Sequence, residues 1–100
     1  MIFCFDLDNT ICTTNGDKYE EAKPMNARIQ KINQLFDNGH IIKIFTARGS
    51  GTGIDWTQLT LNQLRNWHVS YHTLLFGKPE ADVFIDDKAH NSELFDWKLN

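Results

Sequence analysis

The stretch IFCFDLD at residues 2–8 decides the fold. A short apolar run that ends in acids is typical of a strand buried on both faces of a parallel sheet. No basic segment precedes it, and the acid at Asp6 interrupts it early, so we expect neither a signal peptide nor a membrane span. We therefore predict a first strand over residues 2–7.

Helical and strand patterns alternate after this run. Pro24 suits the first position of a helix, and apolar residues recur at helical spacing from Ile29 to Phe36 until Asn38 and Gly39 end the pattern. The other predicted elements are a second strand at residues 40–46 (HIIKIFT), a second helix at 55–67 with Trp56, Leu59, Leu64 and Trp67 on its apolar side, a third strand at 72–76, a fourth at 81–85 and a last short helix at 92–97.

This order of elements predicts an α/β fold. Strand-helix-strand connections imply parallel pairs with right-handed crossovers, which gives a three-layer α/β/α sandwich around a parallel, Rossmann-like sheet. If the second and fourth strands flank the first, the strand order is 4-1-2-3. A chain of 100 residues suits one domain over residues 1–100, with no room for a separate cap domain.

Composition excludes some partners. The chain has 10 Lys and Arg against 13 Asp and Glu, a formal net charge of -3, and its basic residues are scattered. A nucleic-acid partner that relies on a basic surface is therefore not expected, nor is a membrane. Cys4 and Cys12 are too far apart for a C-x-x-C motif, so we expect reduced thiols and a cytoplasmic location.

Polar side chains gather at the predicted carboxyl ends of the strands, where ligands of parallel sheets bind. Two carboxylates 4 Å apart repel by about 4 kcal/mol at an effective dielectric constant of 20, so four of them require a cation. Oxygen donors suit Mg²⁺, and a hydroxyl with an ammonium group would complete a phosphate-binding site. The residues are Asp6, Asp8, Thr46, Lys78, Asp86 and Asp87.

Four motifs, in this order, resemble those of the haloacid dehalogenase (HAD) superfamily of phosphatases in its small, capless form. They are DLDNT at residues 6–10, FTARG at 45–49, GKP at 77–79 and FIDD at 84–87, and together they span nearly the whole chain. The FTARG and FIDDKA stretches further resemble small phosphatases of capsule and surface-polysaccharide biosynthesis.

The resemblance implies a Mg²⁺-dependent phosphoric monoester hydrolase that forms an aspartyl-phosphate. Asp6 would be the nucleophile and Asp8 the general acid and base. Thr46 and Lys78 would bind phosphoryl oxygens. The metal ligands would be Asp6, Asp8 through its carbonyl, Asp86, and Asp87 either directly or through water.

Two residues near the motifs have open roles. Arg48 follows Thr46 closely enough to reach a substrate anion, and we include it among the substrate-binding residues, although it could equally form a surface salt bridge. His90 lies just after the acidic pair and could support it without touching the metal.

The substrate implied by the resemblance is a sugar phosphate or a related intermediate of capsular or surface polysaccharide. An open site would also admit a nucleic-acid 3′-phosphate or a phosphoprotein. A receiver-like phospho-acceptor domain is the non-enzymatic alternative, but its phosphorylated Asp ends the third strand, and HTLLF at residues 72–76 carries no acid. The apolar Leu94, Phe95 and Trp97 favour a homo-oligomer.

Overall fold

The computed structural model describes residues 1–100 and divides them into short elements. In chain order these are β1 (Ile2–Asp6), β2 (Cys12–Thr13), a 3-10 turn (Tyr19–Glu21), β3 (Lys23–Pro24), α1 (Asn26–Asp37), β4 (Ile41–Thr46), α2 (Thr57–Asn66) and β5 (Thr73–Phe76).

Three parallel strands form the main sheet, in the order β1-β4-β5. The α/β class, the parallel sheet and the order of the first three predicted strands are thereby confirmed. A separate pair, β2 and β3, makes a two-residue antiparallel hairpin between β1 and α1. Neither helix has the length and apolar character that crossing a membrane requires.

Both helices contribute to a single hydrophobic core. Alternate strand residues point into it, including Phe5 of β1 and Ile42 and Ile44 of β4, and they meet Ile32 of α1 and Leu64 of α2. The connections β1-α1-β4 and β4-α2-β5 each lead to the next strand on the same side of the sheet. Because such connections are right-handed, both helices lie on the same face.

The opposite face of the sheet has no covering layer. We call it the bare face; it presents Ile2, Cys4, Ile41, Phe45 and Leu75. Ile2 is 61% exposed and Ile41 is 42% exposed. The prediction that the first strand is buried on both faces is therefore wrong, and the sheet and its helices form two layers instead of a three-layer sandwich.

The predicted fourth strand and last helix do not form. Residues 81–85 pair with no strand, and Ile85 is 96% exposed. Of the predicted order 4-1-2-3, the sheet therefore contains strands 1, 2 and 3 without strand 4. Residues 92–97 contain turns but no helix. An apolar, β-prone segment becomes a strand only when an edge pairs with it, and the outer edge of β1 stays free in this structure.

Residues 92–100 run along α1, and we call them the C-terminal clasp. Three side chains spaced along α1 bind this clasp. Arg28 forms an ion pair with Glu93, the Lys31 ammonium donates to the Lys98 carbonyl at 2.6 Å, and the Gln34 amide donates to the Asn100 carbonyl at 3.0 Å.

Two aromatic residues of the clasp cover β1. Phe95 meets Phe3 edge to face with 6.2 Å between ring centroids, and Trp97 lies 5.8 Å from Phe5. The sequence predicts both as part of an oligomer interface, but they pack within their own chain. Of that predicted apolar group, Leu94 alone is fully exposed to solvent.

Candidate functional site

Asp6 and Lys78 meet at the carboxyl edge of the sheet, as predicted from the strand ends. The Lys78 ammonium lies 3.4 Å from Asp6 Oδ1, and both side chains are partly exposed. They line an open cleft of about 240 Å³ together with Ala47, Pro79 and Phe84. The Phe84 ring lies below the ammonium, 4.6 Å from its centroid, so Lys78 is held between a carboxylate and an aromatic face.

Backbone contacts fix Lys78 in place. The chain turns sharply after β5 at Gly77, whose φ of 93° is a conformation that favours glycine. The Lys78 amide then donates to the Thr46 carbonyl at 3.1 Å, and the Ser50 hydroxyl donates to the Lys78 carbonyl at 2.8 Å. The backbone of Lys78 is therefore hydrogen-bonded both to β4 and to the loop that follows β4.

Burial raises the pKa of the Asp6 carboxyl above its ordinary value, and the Lys78 ammonium offsets part of that rise. The protonated form is thus favoured by folding. A raised pKa contributes stability that is complete below the unfolded-state value, about pH 3.9, and is lost as the pH rises through the folded-state value.

Asp6→Asn should therefore become more stable relative to the wild type as the pH increases. We expect the difference in Tm between variant and wild type to be smallest near pH 3 and to grow toward pH 7. Thermal unfolding of both proteins across this range measures it, and the other titrating groups cancel because the two chains share them. A difference that shrinks with increasing pH would contradict the burial of this carboxylate.

A tight turn after β1 places Asp8. The amides of Thr10, Ile11 and Cys12 all donate to the Leu7 carbonyl, and the Asn9 amide donates to the Cys12 carbonyl at 2.6 Å. Asn9 has a φ of 61°, a left-handed conformation that Asn tolerates better than most residues. The turn directs Asp8 toward Arg48.

Arg48 holds Asp8 with two hydrogen bonds. Its Nε donates to Asp8 Oδ2 at 3.0 Å, and one terminal nitrogen donates to Oδ1 at 2.8 Å. The Thr14 hydroxyl adds a third bond to Oδ1 at 2.6 Å. Asp8 is therefore bonded as part of a buried network, whereas Asp6 faces the open cleft.

The other donors of Arg48 point into α2. Its second terminal nitrogen donates to the Thr60 hydroxyl at 3.1 Å and to the side-chain oxygen Oε1 of Gln63 at 2.6 Å, and its guanidinium lies over the Tyr19 ring. The side chain is fully buried. This placement corrects the expectation that Arg48 contacts substrate or forms a surface salt bridge, because none of its nitrogens faces the cleft.

Thr46 also differs from its predicted role. The alternation along β4 sends Ile42, Ile44 and Thr46 to the helix side of the sheet, and Thr46 is fully buried. Its hydroxyl accepts a hydrogen bond from the Arg48 amide at 3.1 Å. The hydroxyl thus shapes the loop after β4 from inside and does not line the cleft beside Asp6.

The predicted metal ligands are not assembled. Asp86 and Asp87 are exposed, neither lines the cleft of Asp6, and Asp86 instead accepts a hydrogen bond from the Lys88 amide. The chain contains no group of three or more His, Cys, Asp or Glu side chains that could hold a metal ion. These residues, as arranged, do not fit the predicted Mg²⁺ site.

Charge is balanced by protein side chains. Asp6 lies beside Lys78 and Asp8 beside Arg48, so each carboxylate has its own cation. Four gathered carboxylates would require a metal, but only Asp6 and Asp8 lie near each other at this edge of the sheet. His90 lies near the Phe95 ring in the clasp, with its centroid 6.4 Å away.

Sequence patterns missed the residues that surround Asp8 and Arg48. On α2 the buried side chains are Thr60, Gln63 and Leu64, whereas Leu64 is the one residue of the predicted apolar face that is fully buried. Inward-facing polar residues on a helix are the signal that could have identified Thr60 and Gln63. The missed residues are Cys12, Thr14, Tyr19, Thr60 and Gln63.

Comparisons with known proteins support the architecture. No family model and no curated protein matches the chain. A crystal structure of a protein from Vibrio cholerae, described only as an MCSG target, superimposes with a TM-score of 0.81 at 26% sequence identity. The match covers 92% of this chain and 84% of that one. The chain is thus similar over most of its length to a protein whose description states no activity.

Proposed function

We propose that this protein is a phosphatase that hydrolyses a phosphate monoester through a covalent intermediate on Asp6. The observation that carries the proposal is the Asp6–Lys78 pair in an open cleft at the carboxyl edge of a parallel sheet, with Asp8 held two residues further on. An ammonium group attracts a phosphate dianion, and a carboxylate beside it is a suitable nucleophile.

In the first step Lys78 binds a phosphoryl oxygen and an oxygen of Asp6 attacks phosphorus. The new bond between Asp6 and phosphorus forms as the bond to the leaving oxygen breaks. Asp8 enters this step protonated on Oδ2, and that proton passes to the leaving oxygen, which gives an alcohol and an aspartyl-phosphate. Lys78 is placed to stabilise the negative charge on the phosphoryl oxygens during transfer.

In the second step water attacks the same phosphorus atom. Asp8 accepts a proton from that water, and the bond between phosphorus and Asp6 breaks. The Asp6 carboxylate, inorganic phosphate and the protonated Asp8 are thereby restored. The two proton transfers cancel over one cycle, so the net reaction consumes one ester and one water.

The sequence motifs also make Mg²⁺ part of this proposal. Because the predicted ligands do not come together in this structure, the steps above are assigned to protein side chains alone. For the substrate we propose a small phosphorylated carbohydrate in the cytoplasm. The scattered basic residues support a small ligand better than a nucleic-acid 3′-phosphate or a phosphoprotein.

Phosphate release from p-nitrophenyl phosphate tests the proposal. We expect release, and assays with added Mg²⁺, after treatment with EDTA and after Mg²⁺ is added back show whether that release depends on a metal. A panel of sugar phosphates, a 3′-phosphorylated oligonucleotide and a phosphopeptide, assayed in the same way, distinguishes the substrate classes. No release from any of these compounds, with or without added metal, would contradict the proposed function.

A further inference from the structure

Arg48 is buried at the centre of a network that ends on Asp8. We infer that Arg48 is a positioning residue, which orients Asp8 for proton transfer, and that Thr60 and Gln63 of α2 hold Arg48 in turn. The inference rests on the proposed function, because it assigns Asp8 its orientation in that reaction.

The hydrogen bonds define one orientation of the Asp8 carboxylate. Oδ1 accepts from Arg48 and from the Thr14 hydroxyl, and the Cys12 thiol lies 3.6 Å away as a further donor. Oδ2 accepts from Arg48 Nε alone. A carboxylate oxygen has two lone pairs, so Oδ2 keeps one for a proton. The two hydrogen bonds from Arg48 thus leave Oδ2 as the oxygen with room for the proton that Asp8 exchanges in the proposed reaction.

A second set of contacts prevents the guanidinium group from turning. Bonds to Thr60 and Gln63 fix the nitrogen that does not reach Asp8, and the Tyr19 ring covers the group 4.7 Å from its centroid. The Gln63 side-chain nitrogen Nε2 also donates to the Tyr19 backbone carbonyl at 2.6 Å. Asp8 is thereby linked through Arg48 to α2 and to the chain that precedes α1.

Direct binding of substrate by Arg48 is the competing role, and the two roles respond differently to lysine. A lysine binds phosphate well as a point charge, but it cannot donate two parallel bonds to one carboxylate. Arg48→Lys should therefore preserve substrate binding if Arg48 contacts phosphate, and should release Asp8 if Arg48 positions it.

We expect Arg48→Lys to lower kcat by about 10²-fold, the low end of what general acid–base catalysis contributes, with KM changed by less than about threefold. The loss should be larger for an alkyl phosphate than for p-nitrophenyl phosphate, because the nitrophenolate leaves without needing a proton. An unchanged kcat, whether or not KM rises, would overturn the inference.

A double-mutant cycle separates positioning from general support of the fold. In an Asp8→Asn background, Arg48→Lys should cause no further loss of kcat, because the group that it positions is already disabled. Equal losses in both backgrounds would show a structural role and overturn the inference. Arg65→Lys, the same change at an exposed position of α2, is the matched control and should leave activity unchanged.

If Arg48→Lys fails to fold, Gln63→Met tests the same inference. It should shift kcat in the same direction by a smaller factor and show the same dependence on Asp8. A wild-type protein that releases no phosphate would overturn the proposed function and this inference together. An active wild type with additive losses would overturn the inference alone.

Discussion

Asp6→Asn is expected to abolish phosphate release, lowering kcat by at least about 10³-fold, on the scale found when a covalent nucleophile is removed. The amide keeps the size of the carboxylate and can still lie beside Lys78, but it lacks the negative charge that attacks phosphorus. Steady-state assays with p-nitrophenyl phosphate measure the loss, and thermal unfolding verifies that the variant folds.

Asp17→Asn is the matched control, because Asp17 is an exposed acid in the loop after β2 and lines no part of the cleft. It should retain full activity. Acid quenching of Asp8→Asn during turnover should trap phosphate on Asp6, which mass spectrometry of a peptide containing residues 2–8 would locate. Activity retained by Asp6→Asn would eliminate the covalent route.

Ile44→Ala is expected to lower the free energy of unfolding by about 2–5 kcal/mol, a large share of the 5–15 kcal/mol typical of a domain. Ile44 is fully buried in β4, the central strand, and pairs with Phe5 on one side and Leu74 on the other. Removal of its side chain leaves a cavity at the centre of the core. Urea unfolding measures the change.

Ile41→Ala on the same strand is the control for Ile44→Ala. Ile41 lies on the bare face with 42% of its surface exposed, so its truncation removes less buried surface than that of Ile44 and should cost about 1 kcal/mol. Similar losses for the two variants would mean that another surface covers this face in solution and would contradict the two-layer description.

The helices and the three paired strands could be predicted because their signals are local. Apolar spacing between Ile29 and Phe36 marks α1, and the β-branched run before Thr46 marks β4. The bare face could not be predicted, because Ile2 and Cys4 are as apolar as the inward-facing Phe3 and Phe5. Which of the two sets is covered depends on where the helices pack, and that is a non-local property.

One half of the candidate site could likewise be predicted from local sequence signals, and the other half could not. Asp6 and Lys78 could be placed together because both follow strands of one parallel sheet. The contact between Asp8 and Arg48 joins residues 40 apart in sequence and depends on inward-facing polar residues of α2. Asp86 and Asp87 were predicted to join the site through a fourth strand, and without that strand nothing brings them to Asp6.

The C-terminal clasp has a consequence for the kinetics of folding. Its bond between Lys31 and Lys98 closes a loop of 67 residues, and the two bonds between Gln34 and Asn100 close one of 66. Closing such loops costs chain entropy before the contacts can repay it, so these contacts should form late. Until then Phe3 and Phe5 lack the contacts with Phe95 and Trp97, so the first strand acquires this part of its cover in the last stage of folding.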